Sequence, residues 1–224
     1  MKIKNIKLDV FEWKGTPWKT NYRNIFGQNV NLSVLSIETD EGITGNSFLG
    51  SSKVGSEHHN KNIINFAKTF LIGENPQNIG KIWNHLWKMN RSLSLNSIAS
   101  IDIALWDING KITNQPIHKL LGSYKEKVPV YSSTPFHKDI KDYVDEARFF
   151  KNKGWTAHKI HPHGNPYKDV EICIAVREEV GEDMNLMLDS MCAYDYENAL
   201  MVGKAIQKLN FYWYEDPLVE EDIY

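Results

Sequence analysis

Four residues, Lys159, His161, Asp189 and Glu215, are of types that could share one piece of chemistry. In "GWTAHKIHPHG", Gly154 to Gly164, Lys159 and His161 stand at i and i+2 of an alternating run. Both therefore face one side of a strand, which Pro162 then ends. "NLMLDS" sets Asp189 at the end of a second apolar run, and "FYWYEDP" sets Glu215 and Asp216 at the end of a third. Neighbouring parallel strands lie about 4.8 Å apart, so equivalent positions on successive strands converge on one mouth. Two strand-end carboxylates suit an oxygen-seeking cation such as Mg²⁺, with Mn²⁺ as the alternative. A base beside a hard cation is equipment for removing a proton next to a carboxylate, the cation meeting the negative charge that develops. A small-molecule carboxylate is thus the expected substrate. Asp216 is expected to hydrogen-bond the metal ligands from behind. His163, in the loop beyond Pro162, is near enough to the mouth to touch substrate.

Other polar and aromatic residues read as structural. His158 points away from Lys159 and is expected to pack against a helix. His58, His59 and His137 are expected to be solvated, and the stripe Trp83, Trp87, Trp106 to be core. "HPH", with His161 and His163 two apart, also raises a zinc hydrolase of barrel type. The later strand ends carry carboxylates, which favour a hard cation over zinc.

The elements that must position these residues fall into two grammars. Residues 1–125 read as α+β. "IKNIKLDVFEW" alternates as a strand, and "NLSVLSIETDEGITGNSFLG" reads as a hairpin turning at Asp40-Glu41-Gly42. Period-3.6 patterns follow: "KNIINFAKTFLIG" closed by Gly73, "NIGKIWNHLWKMN", a long helix ending near Gly110, and a short one after Pro116. From 126 to 224 strands alternate with helices: "VPVYSS", "DIKDYVDEARFFKNKG", "TAHKIHP", "KDVEICIAVREEVG", "NLMLDS", "YENALMVGKAIQKLN", "FYWYEDP". That order means βα units and a parallel sheet, with polar residues at the C-terminal strand ends where βα barrels build their sites. Asp195 is the expected cap of the last helix, which leaves Asp189 available as a ligand.

Composition narrows the classes. A net charge of −2 over 224 residues offers no electrostatic attraction for nucleic acid or an anionic membrane. No apolar run approaches the roughly 20 residues of a membrane span, and the N-terminus lacks the apolar stretch of a signal peptide. Two cysteines, Cys173 and Cys192, make no disulfide framework, and a cytoplasmic location is expected.

"SIDIALWDINGKITNQPIHKLLG", a lysine-x-base element, "LMLDS" and "WYEDP" occur in an order that resembles the mandelate racemase/muconate-lactonizing branch of the enolase superfamily. "IETDEGITG" resembles that family's capping domain. The resemblance covers essentially the whole chain. It implies an α+β cap (1–125) that closes over substrate, then about four βα units of a modified TIM barrel (126–224). It implies that Asp189 and Glu215 are metal ligands and that Lys159 is the first lysine of the family's lysine-x-lysine element. Three departures stand out. His161 replaces the usual catalytic lysine, Met191 stands where many relatives carry asparagine, and the third metal ligand and the later aspartate–histidine pair have no counterpart. A half barrel would leave two bare sheet edges, so the chain is expected to be a fragment of a longer, homo-oligomeric enzyme. Sugar-acid dehydration, a lyase reaction, is the expected activity. Racemisation, cycloisomerisation and an inactive partner-binding remnant are the alternatives.

Overall fold

Alternating apolar residues build the first sheet. In the computed structural model, which describes residues 1–14, 18–19, 24–25, 29–50, 56–133 and 136–219, β1 (Ile3–Lys14) is followed by β2 (Trp18–Lys19), β3 (Asn24–Ile25), β4 (Asn29–Thr39) and β5 (Thr44–Leu49). β1, β4 and β5 form an antiparallel sheet with β4 in the middle. The β4–β5 hairpin turns at Asp40–Gly42 as expected, with Gly42 in the left-handed region at φ 82°. Ile6, Leu35, Ile37 and Leu49 lie on the buried face. Helices cover it: α1 (Glu57–Asn62), a π-helical turn (Ile63–Ala67), α2 (Lys68–Leu71), α3 (Ile79–Lys88), α4 (Leu95–Thr113) and α5 (Ile117–Leu120). Ile63, Leu71, Ile82, Leu86, Ile101 and Ile108 complete that core.

α4 begins at Ser94, whose hydroxyl accepts from the Ser97 amide at 3.2 Å. It does not end near Gly110. It runs to Thr113 and stops at Asn114, whose left-handed backbone closes the last turn. Gly110 serves instead as a gap, since a Cβ there would stand 3.0 Å from the Gln115 carbonyl. Gly45 of β5 is tighter still: a Cβ would lie 2.0 Å from the Ala104 carbonyl of α4. Gly45→Ala must prise strand from helix, at a cost of roughly 1–3 kcal/mol, and a lowered chemical-denaturation midpoint with an unchanged slope checks this.

Two further expectations fail in this unit. Trp83 and Trp87 are not core; they are 40% and 43% exposed and stack on each other at 4.9 Å. The pattern marked an apolar face of α3, but nothing among the described residues covers it. His59 is not merely solvated: its ring hydrogen-bonds Ser94 at 2.8 Å and Asn96 at 3.3 Å. The side chain of His58 lies outside the described residues.

The second unit alternates strand and helix: β6 (Ser132–Ser133), α6 (Ile140–Asn152), β7 (Ala157–Ile160), α7 (Pro166–Val180), β8 (Asn185–Asp189), α8 (Tyr196–Lys208) and β9 (Trp213–Glu215). The strands form one parallel sheet in sequence order, the result of helical crossovers between neighbours. "VPVYSS" yields only two paired residues. β7 offers partners for Ser132 and Ser133 alone, and Val128 and Val130 are exposed. Ile160, Leu186 and Leu188 pack against Tyr143, Ile172, Val176 and Val202 of the helices. Alternation therefore turns Lys159, Met187 and Asp189 to the opposite face. Asn165 and Asp195 cap α7 and α8 through the amides of Lys168 and Asn198. The chain is thus an α+β unit followed by four parallel strands of a partial TIM barrel; its two compact units are Met1–Pro17 with Ile25–Glu126, and Trp18–Asn24 with Lys127–Tyr224. Among the described residues no helix is long and apolar enough to cross a membrane.

Candidate active site

Strand register brings the expected residues to one rim. Asp189 pairs with Glu215, and Lys159 with Met187, which pairs in turn with Trp213. Lys159 thus sits one layer below the carboxylates and reaches up to them. Its Nζ donates at 3.0 Å to Asp189 Oδ2 and at 3.0 Å to both oxygens of Glu215. His161 Nε2 lies 3.0 Å from the same Asp189 Oδ2. One carboxylate oxygen is therefore shared by the ammonium and the imidazole.

The electrostatics follow from this contact set. Burial alone would push the Asp189 carboxyl up, but hydrogen bonds from His161 and Lys159 outweigh it and hold the group down at about 2. Burial opposes the Lys159 ammonium as well, and its bonds to Glu215 and Asp189 overcome that and raise it. Both groups are ionised at neutral pH, buried and paired.

The turns behind the rim are strained. Met191 and Cys192 have φ of 49° and 60°, and Asp216 has φ of 42°, a conformation that costs non-glycine residues on the order of 1–3 kcal/mol each. Hydrogen bonds hold it. The Met191 amide donates to Asp189 Oδ1 at 3.1 Å, and the Ser190 and Cys192 amides donate to the Glu215 and Asp216 carbonyls at 3.0 and 2.7 Å. Met191 therefore supports Asp189 through its main chain.

Asp216 lies at the same rim. Strand alternation would turn it away from Glu215, but the left-handed turn ends that alternation. Asp189, Glu215 and Asp216 each present an oxygen, all within 4.8 Å of one another. Three carboxylates form an all-oxygen donor set suited to a hard divalent cation. The place between Asp189 and Glu215 already accommodates positive charge, since the Lys159 ammonium touches three of their oxygens.

The structure sets His163 apart from this group. Its amide donates to buried Asp169 at 3.1 Å, its ring packs edge-on to Tyr143 at 5.9 Å, and it faces a cavity lined by Lys138, Asn165 and Lys168. His158 is buried against α6 as expected, stacked on Phe150 and bonded to Ser132 at 2.8 Å; burial pushes it down to about 4. His137 is not solvated, because Glu146 meets its Nε2 at 2.6 Å.

Sequence reasoning missed the aromatic floor. Tyr131 places its ring 5.6 Å from Lys159 Nζ and edge-on to Trp213 at 5.2 Å, and Trp213 Nε1 donates to Glu215 Oε2 at 3.0 Å. The i, i+2 spacing of Trp213 and Glu215 was the available signal.

Family models of two kinds match the chain. The mandelate racemase/muconate lactonizing enzyme N-terminal domain matches residues 6–122, and the enolase C-terminal domain-like family matches 142–224. The D-galactarolactone cycloisomerase of Agrobacterium fabrum is 30% identical, over 100% of this chain and 60% of its own length. The arabinonate dehydratase of Saccharolobus solfataricus is 31% identical, over 84% of this chain and 52% of its own. Among solved structures, D-glucarate dehydratase from Agrobacterium tumefaciens, complexed with magnesium, superposes with a TM-score of 0.84 at 29% identity, covering 99% of this chain and 62% of that one. The chain thus spans a little over half the length of such relatives. Two domain models in order, over nearly all of the sequence, establish that the chain belongs to the mandelate racemase/muconate lactonizing branch of the enolase superfamily.

Proposed function

We propose that this chain carries the proton-abstracting half of a divalent-cation-dependent enzyme acting α to a carboxylate, and that its reaction is the dehydration of a sugar acid. One observation carries the reading: Lys159, His161, Asp189 and Glu215 meet at a single rim through contacts of 3.0 Å.

Asp189 and Glu215, with Asp216 beside them, would hold Mg²⁺ or Mn²⁺. Such a cation, when bound, supplies positive charge that lowers the cost of the negative charge developing on the substrate carboxylate. The chain's own groups do the rest. The His161 imidazole takes the α-proton. The C–H electron pair then forms a carbon–carbon double bond as the β-hydroxyl leaves, taking the proton from the imidazolium and departing as water. The resulting enol tautomerises to a keto acid. Lys159, once it is not needed as the counter-charge of Asp189 and Glu215, would donate a hydrogen bond to a substrate carboxylate oxygen. Met187, 1% exposed, pairs with Lys159 in the sheet register and leaves no room for water there, which strengthens these charge interactions.

The arabinonate dehydratase, and an L-talarate/galactarate dehydratase of Salmonella typhimurium at 30% identity, support dehydration. Cycloisomerisation is the second reading, because the galactarolactone cycloisomerase matches the full chain. Both begin with loss of the α-proton. Incubation with aldonic and aldaric acids in ²H₂O, followed by proton NMR, is expected to show Mg²⁺-dependent loss of one α-proton signal that chelation abolishes. Apart from the deuterium taken up, a product lighter by one water marks dehydration, and a product that has lost no water marks isomerisation. Exchange that persists without divalent cation, or no exchange with any acid, would end the proposal.

A further inference from the structure

We infer that Trp213 is a positioning residue for the cation site: its indole N–H fixes the Glu215 carboxylate so that Glu215 and Asp189 face one divalent ion. The inference rests on the cation-assisted reading above and goes beyond it, since nothing in that chemistry requires an indole.

Asp189 and Glu215 are held in different ways. Asp189 has a short side chain, is 7% exposed, and accepts from the Met191 amide, Lys159 and His161. Glu215 has one more rotatable bond and a side chain 36% exposed. Among the described residues its side chain bonds to Lys159 and the Trp213 indole. Lys159 would be repelled by a divalent ion held by the same carboxylates, which would weaken one of those anchors. The indole is neutral, so its bond to Glu215 Oε2 would persist.

The ring itself is fixed. Tyr131 meets it edge-on at 5.2 Å and Met187, 1% exposed, stands opposite it in the sheet register. A rigid neutral donor on a metal-binding carboxylate is an outer partner of the kind whose loss costs about 10–100-fold in metal affinity.

The test is Mn²⁺ binding followed by electron paramagnetic resonance, with wild type, Trp213→Phe, Trp213→His and Glu215→Gln. Trp213→Phe keeps a ring and loses the N–H. It is expected to bind Mn²⁺ about 10–100-fold more weakly with an unchanged melting temperature, which a purely structural role would not give. Trp213→His restores an N–H and is expected to recover most of the loss; affinity as weak as that of the Phe variant overturns the role given to the N–H. Wild-type affinity in Trp213→Phe with weak binding in Glu215→Gln also overturns it, while the site stands. Wild-type affinity in both removes the cation site itself. Should Trp213→Phe fail to fold, ¹⁵N spectra of the wild type decide. Mn²⁺ is expected to broaden one downfield indole N–H signal at low occupancy, and its failure to broaden any overturns the inference.

Discussion

His161→Ala is expected to slow α-proton exchange by about 10²–10⁴-fold, the usual worth of a positioned general base, while the melting temperature stays near that of wild type. The separation is expected because the ring and the main chain of His161 are held by different groups. The His161 carbonyl accepts from the buried Tyr143 hydroxyl at 2.8 Å, and that hydroxyl accepts from the His137 amide at 3.1 Å. The turn therefore stays in place when the ring is gone. The ring lies at the rim, tilted against Phe136 at 6.0 Å, so its loss opens no cavity in the core between sheet and helices. Removing Lys159 would be a poorer test, because it leaves two carboxylates without their buried counter-charge and confounds folding with chemistry. Exchange kinetics over a range of substrate concentration separate kcat from KM. An unaltered rate in His161→Ala would take the base role away from this residue.

The geometry of the rim was legible wherever it follows from alternation. Lys159 and His161 share a face because strand side chains repeat every two residues, and Asp189 and Glu215 align because parallel strands keep register. What escaped depends on backbone strain or on distant partners. The carboxylate of Asp216 reaches its neighbours through a left-handed turn, which no composition signal at that position announces. His137 finds Glu146 nine residues on, across a loop and onto α6. The Trp83–Trp87 pair shows a different limit. Helical period identifies an apolar face, but whether another element covers it is a property of the fold. β6 is short for a related reason: apolar β-branched residues at 128 and 130 favour a strand, but a ladder needs a partner, and β7 begins only at Ala157.

At the opposite end of the sheet, Arg177→Met is expected to destabilise the fold by roughly 3–5 kcal/mol and to leave the rim's chemistry untouched at temperatures where the protein stays folded. The Arg177 guanidinium is buried at the end of α7 and is spent on backbone carbonyls. It donates to Gly181 and Met184 at 2.6 and 2.8 Å, and to Leu209 and Asn210 at 2.8 and 3.0 Å. The first two belong to the turn from α7 into β8, the last two to the turn from α8 into β9. Helix C-termini carry partial negative charge from unpaired carbonyls, so a single cation serves two of them. It also packs 5.8 Å from the Phe211 ring. Burial pushes the guanidinium's pKa down, yet arginine remains charged far above neutral pH. Methionine fills similar volume and supplies no donor, which strands carbonyls in a semi-buried site. For a chain of this length that corresponds to a melting temperature lower by roughly 10 °C. Arg177→Lys is expected to recover only a fraction, because an ammonium cannot span four acceptors in two turns. Calorimetry of both variants, with Mn²⁺ binding measured below the transition, checks the effect and its confinement. A melting temperature in Arg177→Met equal to that of wild type would mean that water satisfies those carbonyls as well as the guanidinium does.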